Sequence, residues 1–126
     1  MPERAKILVV EDSPMMARMY RLVLGAEHEV LLAENGVQGL DWAARQPDLA
    51  LAVVDINMPQ MDGLEFLRRL RGELQRTELP VLVCSTEAAE SDRQAALAAG
   101  ATRFLPKPWT PAQFAAVVAE LLGEAP

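Results

Sequence analysis

Short apolar runs alternate along the chain with stretches in which apolar residues recur at helical spacing. Ile7-Leu8-Val9-Val10 is continuous, rich in β-branched residues and stopped by Glu11-Asp12-Ser13-Pro14, as expected of a strand buried on both faces. A helix should follow. Ser13 is a capping residue, Pro14 suits a first turn, and Met16, Met19, Tyr20, Val23 and Leu24 keep the helical period until Gly25. The alternation then repeats. Val30-Leu31-Leu32 precedes a helix over about 37–45, and Leu51-Ala52-Val53-Val54 precedes Asp55 and a helix over about 63–71. Val81-Leu82-Val83-Cys84 precedes a helix over about 91–99, and Thr102-Arg103-Phe104-Leu105 precedes a last helix over about 111–122.

Apolar strands separated by amphipathic helices predict right-handed βαβ units and a parallel sheet covered on both faces. Ligands bind such sheets beyond the carboxyl ends of the strands. Glu11, Asp12, Asp55, Ser85 and Lys107, which close the apolar runs, therefore become the candidate residues.

Composition narrows the options without choosing among them. A chain of 126 residues with 51% hydrophobic residues fits one domain, 1–126, with its own core. A formal net charge of -6 argues against a surface that neutralises nucleic-acid phosphates. The single cysteine, Cys84, excludes an internal disulfide and a thiolate metal cluster. The first apolar run is too short for a signal-peptide core or a membrane span, so a cytoplasmic setting with no membrane insertion is expected.

Glu11, Asp12 and Asp55 should converge at one end of the sheet, where their repulsion is relieved by a cation or by protons. Mg²⁺ suits an oxygen-only set of this kind, with Asp12 and Asp55 as direct ligands and Glu11 acting through water. A carboxylate can also attack phosphorus when metal and fixed cations offset the incoming charge. Lys107 can supply that cation. It follows an apolar strand between Pro106 and Pro108, which restrict the backbone around it. Ser85 can donate its hydroxyl to a phosphate oxygen or, more simply, cap a turn.

Val9-Val10-Glu11-Asp12-Ser13, Val54-Asp55-Ile56-Asn57-Met58-Pro59-Gln60-Met61-Asp62-Gly63, Val83-Cys84-Ser85 and Phe104-Leu105-Pro106-Lys107-Pro108 together resemble the receiver domain of bacterial two-component response regulators. The likeness covers nearly the whole chain, and four motifs in order at strand ends are specific together. It implies an α/β fold, flavodoxin-like, with a doubly wound five-stranded parallel sheet in order 2-1-3-4-5. It also implies a switch that catalyses its own phosphorylation and dephosphorylation. By the resemblance Asp55 is the phospho-acceptor, Glu11 and Asp12 the acidic metal pair, and Asn57 a Mg²⁺ ligand through its backbone carbonyl. Ser85 is the switch hydroxyl, Lys107 the phosphoryl-contacting lysine, and Phe104 the aromatic rotamer switch. A cis Lys107–Pro108 bond belongs to the same pattern.

The implied donor is a histidine kinase or a histidine phosphotransfer protein. The implied output is a downstream target bound by the fourth helix, fifth strand and fifth helix; Glu90, Arg93, Gln94 and Arg103 are the surface candidates for that contact, simple solvation being the alternative for each. Free-standing chemotaxis-type receivers are the kind expected, 126 residues having room for the receiver alone. Thr86 departs from the usual small Ala or Gly and should narrow access to the phosphoryl group. Pro106 removes a ladder donor, which an edge strand tolerates.

Other functions fit less well. An aspartate-nucleophile phosphatase of the haloacid dehalogenase type resembles a pattern with a second Asp where this chain has Asn57, and there is no room for a cap. A flavodoxin-like electron carrier would need a Ser/Thr-rich phosphate loop, and aromatics are only 5%. A docking domain without phosphorylation would not need intact acidic, serine and lysine positions. His28 is expected on the surface, Cys84 in an inert core position, and Met15, Met16 and Met19 in core packing or partner contact.

Overall fold

The computed structural model describes residues 4–56, 63–87 and 89–123. Its elements run β1 (Lys6–Val10), α1 (Pro14–Leu24), β2 (Glu29–Ala33), α2 (Gly36–Arg45), β3 (Leu49–Asp55), α3 (Gly63–Gly72), β4 (Val81–Ser85), α4 (Glu90–Ala99), β5 (Arg103–Pro106) and α5 (Pro111–Leu121). Every expected strand and helix is present, with ends displaced by at most two residues. Local capping explains several starts. Ser13 Oγ accepts from the Met16 N–H, Asn35 Oδ1 from the Gln38 N–H, and Thr110 and Gln113 form a reciprocal capping box.

The strands form one parallel sheet in the order β2-β1-β3-β4-β5. Because successive side chains on a strand point to opposite faces, each apolar run feeds two cores. Leu8, Val10, Ala52, Val54, Val81 and Val83 pack on one side with Phe66, Leu67 and Leu70 of α3. Ile7, Val9, Leu51, Val53, Leu82 and Cys84 pack on the other with Tyr20 of α1 and Phe114 of α5. That double burial is why the central runs lack polar alternation. β5 pairs only with β4, so Pro106 lies on an edge strand as expected.

Register brings the site together. Val10 pairs with Val54, Asp55 with Cys84, and Ser85 with Pro106. Glu11, Asp55, Ser85 and Lys107 therefore emerge at nearly one level, beyond the carboxyl ends of adjacent strands. The Glu11 N–H donates to Ala33 O at 2.9 Å and the Lys107 N–H to Ser85 O at 2.8 Å, carrying the ladder to the rim.

His28 corrects an expectation. It is 7% exposed rather than a surface residue; its N–H is bound to Leu24 O, its carbonyl accepts from Arg4, and it lines one cavity with Ala115 and Ala119 of α5. Its polar sequence neighbours hid this packing. Met16 packs on the core, whereas Met15 and Met19 are exposed.

Candidate functional site

Two strand ends deliver the acidic residues. Glu11 and Asp12 leave β1 just before the Ser13 cap of α1, and Asp55 is the last residue of β3. Behind Asp55 the chain returns through Gly63, whose N–H donates to Ile56 O at 3.2 Å. A Cβ on Gly63 would stand 2.5 Å from Ile56 Cα and 2.7 Å from Asp55 O. The close approach that sets the end of β3 thus requires a residue without a side chain.

Glu11, Asp12 and Asp55 each bring a carboxylate oxygen within 4.8 Å of the others. Their environments differ. Asp12 is exposed, Asp55 is partly buried and Glu11 is 4% exposed. Glu11 Oε2 accepts from the Ser13 N–H at 3.1 Å, while Oε1 is buried without a hydrogen-bond partner among the described residues. Burial pushes the Glu11 carboxyl up to about 7; the Ser13 N–H opposes this, Asp55 adds to it and Lys107 opposes it. A buried carboxylate oxygen that accepts no hydrogen bond among the described residues, grouped with two further carboxylates and no histidine or cysteine ligand, fits a hard divalent cation.

Lys107 closes the far side. Its Nζ donates to Asp55 Oδ2 at 3.1 Å and lies 3.8 Å from Glu11 Oε1. The Lys107–Pro108 bond is cis. Ser85 is fully buried at the end of β4, and its Oγ accepts from the Glu87 N–H at 2.9 Å, so it caps a turn here. Thr86 beside it is exposed. Phe104 is partly buried against the core shared by α2, α3 and α4. Asn57, with the motif residues through Asp62, lies outside the described residues.

The arrangement matches a known family over most of its length. Residues 7–119 match the response regulator receiver domain. The chain belongs to that family. This receiver is 33% identical over 120 residues to a chemotaxis protein CheY homolog of Campylobacter jejuni, covering 94% of this chain and 92% of that one. It is 42% identical over 105 residues to response regulator MprA of Mycobacterium tuberculosis, covering 82% of this chain and 44% of the relative. Chemotaxis protein CheY4 of Vibrio cholerae superposes with a TM-score of 0.87 at 32% identity, covering 94% of this chain and 99% of that one. The receiver is thus a component of two-component signalling with the chemotaxis-type fold. No helix among its described residues is long and apolar enough to cross a membrane.

The structure brings the expected Glu11, Asp12, Asp55 and Lys107 together and sets Ser85 at the end of the neighbouring strand β4, but two features were not read from the sequence. Nothing in Val10-Glu11-Asp12 says that Glu11 turns inward while Asp12 faces solvent. The seating of Trp109 was also missed. Its signal was present, as the only bulky apolar residue in Pro106-Lys107-Pro108-Trp109-Thr110.

Proposed function

We propose that residues 1–126 form one receiver domain that is switched by phosphorylation of Asp55, with a phosphohistidine of a kinase or phosphotransfer protein as donor. The observation that carries this reading is the Lys107 ammonium 3.1 Å from Asp55 Oδ2 within a cluster of three carboxylates. In the transfer, an Asp55 carboxylate oxygen forms a bond to phosphorus as the N–P bond breaks, and its electron pair returns to the donor imidazole. Lys107, which pairs with Asp55 Oδ2 before transfer, is the cation we assign to the phosphoryl oxygens once Asp55 has given up its own charge to the new bond. Ser85, released from its turn-capping role, donates its hydroxyl to a phosphoryl oxygen.

Asp12, Asp55 and the Asn57 carbonyl are the direct ligands we assign to Mg²⁺, with Glu11 acting through water. When bound, the metal supplies charge neutralisation at the phosphoryl oxygens. The chain's own carboxylates hold the position and keep anionic donors away until their charge is matched. Phosphorylation and its reversal are reactions of the receiver on itself, not turnover of an external substrate, and a cytoplasmic setting suits a kinase partner.

The output we assign to α4, β5 and α5. On this reading a phosphoryl group draws Ser85 and the end of β4 toward it, and a close-packed interior converts such movement into discrete rearrangement, with Phe104 turning inward. Glu90, Arg93, Gln94 and Arg103 are the contact residues proposed. Glu90 accepts from Arg93 and Gln94, and Arg103 pairs with Glu120 at 2.6 Å. Mass measurement after incubation with acetyl phosphate, with and without Mg²⁺, tests the core of the reading. One phosphoryl group should appear only with the metal and not in Asp55→Asn; the same modified peptide in that variant would refute the assignment.

A further inference from the structure

We propose that Trp109 is a positioning residue for the reaction at Asp55, its indole fixing the backbone from which Lys107 reaches the carboxylate. This rests on the reading of Lys107 given above. The lysine stem has four rotatable carbons, so the aim of its ammonium depends on how firmly its base is held.

The segment that carries Lys107 is tied at its helix end by the Thr110–Gln113 capping box, which holds the backbone at Thr110 but not at Lys107 itself. Pro106, Pro108 and Thr110 are exposed, and Pro108 has no N–H to donate. On the strand side the Lys107 N–H is bound to Ser85 O at 2.8 Å. On the helix side the one apolar side chain between Lys107 and α5 that joins the core is Trp109. Its ring stacks on Phe114, with centroids 4.5 Å apart and planes 19° from parallel, and lies 5.6 Å from Tyr20. Phe114 and Tyr20 are 0% and 1% exposed, so the platform beneath the indole is rigid core.

The indole N–H supports the same assignment. Buried tryptophans usually find a partner for this group. Here Nε1 is buried without a hydrogen bond among the described residues, close to the Cys84 thiol. At most the weakly accepting Cys84 sulfur lies beside the indole N–H, and the stack on Phe114 is the ring's well-defined contact. Cys84 directly precedes Ser85, so both anchors of the Lys107 segment converge on the same end of β4.

The test is the rate of labelling by acetyl phosphate with Mg²⁺, read by mass, in Trp109→Phe and Trp109→Leu, each with Lys107 present and in Lys107→Ala. Trp109→Phe keeps a stacking ring and should label within about threefold of the parent, whereas Trp109→Leu should slow labelling about tenfold or more. In the Lys107→Ala background the Leu substitution should add less than about twofold, because the group it positions is gone. Mg²⁺ affinity by calorimetry should be unchanged in both Trp109 variants. Phe114→Leu removes the ring beneath the indole, carries the same expectation as Trp109→Leu, and decides the matter if that variant does not fold. Equal slowing with and without Lys107, no slowing, a Phe variant no better than Leu, or a parallel loss of Mg²⁺ affinity would overturn the proposal. If Lys107→Ala alone labels at the parent rate, the reading of Lys107 fails instead.

Discussion

The ammonium of Lys107 stands 3.1 Å from Asp55 Oδ2 and 3.8 Å from Glu11 Oε1, so one cation is shared by two carboxylates from different strands. The Lys107 and Asp55 side chains are 13% and 12% exposed, and water therefore screens the pair only weakly. The site is held by a cation on one flank and is rich in oxygen donors on the other.

That asymmetry separates two losses. Lys107→Ala should slow phosphorylation of Asp55 by about 100- to 1000-fold, the usual scale for removing one stabiliser of developing charge, while Mg²⁺ binding persists. Asp12→Ala should lose Mg²⁺ affinity first. Calorimetric titration of both variants checks this, and equal metal affinity in Asp12→Ala and the parent would contradict it.

Glu11 gives a pH dependence of definite sign. Its folded pKa of about 7 lies above the ordinary 4.5, so the native state keeps a proton that the unfolded chain releases between those values. Without metal, stability should fall as pH rises through this window, by at most about 3 kcal/mol in all. Glu11→Gln should therefore match the parent near pH 4.5 and exceed it at pH 8 when Mg²⁺ is absent. Denaturant titrations at both pH values decide; an equal difference at each would refute the inward-facing acid. Mg²⁺ should raise the parent's Tm more at pH 8 than at pH 5.5.

Gly63→Ala would put a methyl carbon 2.5 Å from Ile56 Cα and 2.7 Å from Asp55 O. Backbone, not a flexible side chain, has to yield, so a loss of about 1–3 kcal/mol is expected. Because the displaced atoms carry Asp55, labelling should fall in the fraction that remains folded. Thermal melts and labelling rates measured together test both parts.

Thr86 is exposed beside the buried Ser85. Trimming it in Thr86→Ala should speed labelling by acetyl phosphate several-fold. A rate equal to or below the parent's would mean that the side chain points away from the path of the donor.

Addition of beryllofluoride with Mg²⁺ should shift amide resonances over α4, β5 and α5, with smaller shifts in Phe104→Ala. The two states need differ by only a few kcal/mol for a phosphoryl mimic to change their populations. Shifts confined to α2 and α3 would show that the output lies elsewhere.

Much of this architecture was legible because each apolar run serves two cores. Ile7 and Val9 face α1 and α5 while Leu8 and Val10 face α2 and α3, so continuous runs flanked by helical periodicity admit few other arrangements. The candidate site was legible for a related reason: in a parallel sheet every strand-ending residue lies on the same rim. His28 was not legible, since its burial is set by how the turn after α1 sits against elements distant in sequence, and its polar sequence neighbours carry no sign of that.

By itself the sequence determined the alternation of strands and helices, the α/β class, and the set of residues gathered at the carboxyl rim, because local periodicity and capping are properties of neighbouring residues. Only the tertiary structure decided that Glu11 turns inward and Asp12 outward, that Lys107 reaches Asp55 and Glu11 together, and that Trp109 seats on Phe114. Those outcomes depend on register between strands and on contacts between elements far apart in the chain, and no local pattern encodes the angle at which one side chain meets another.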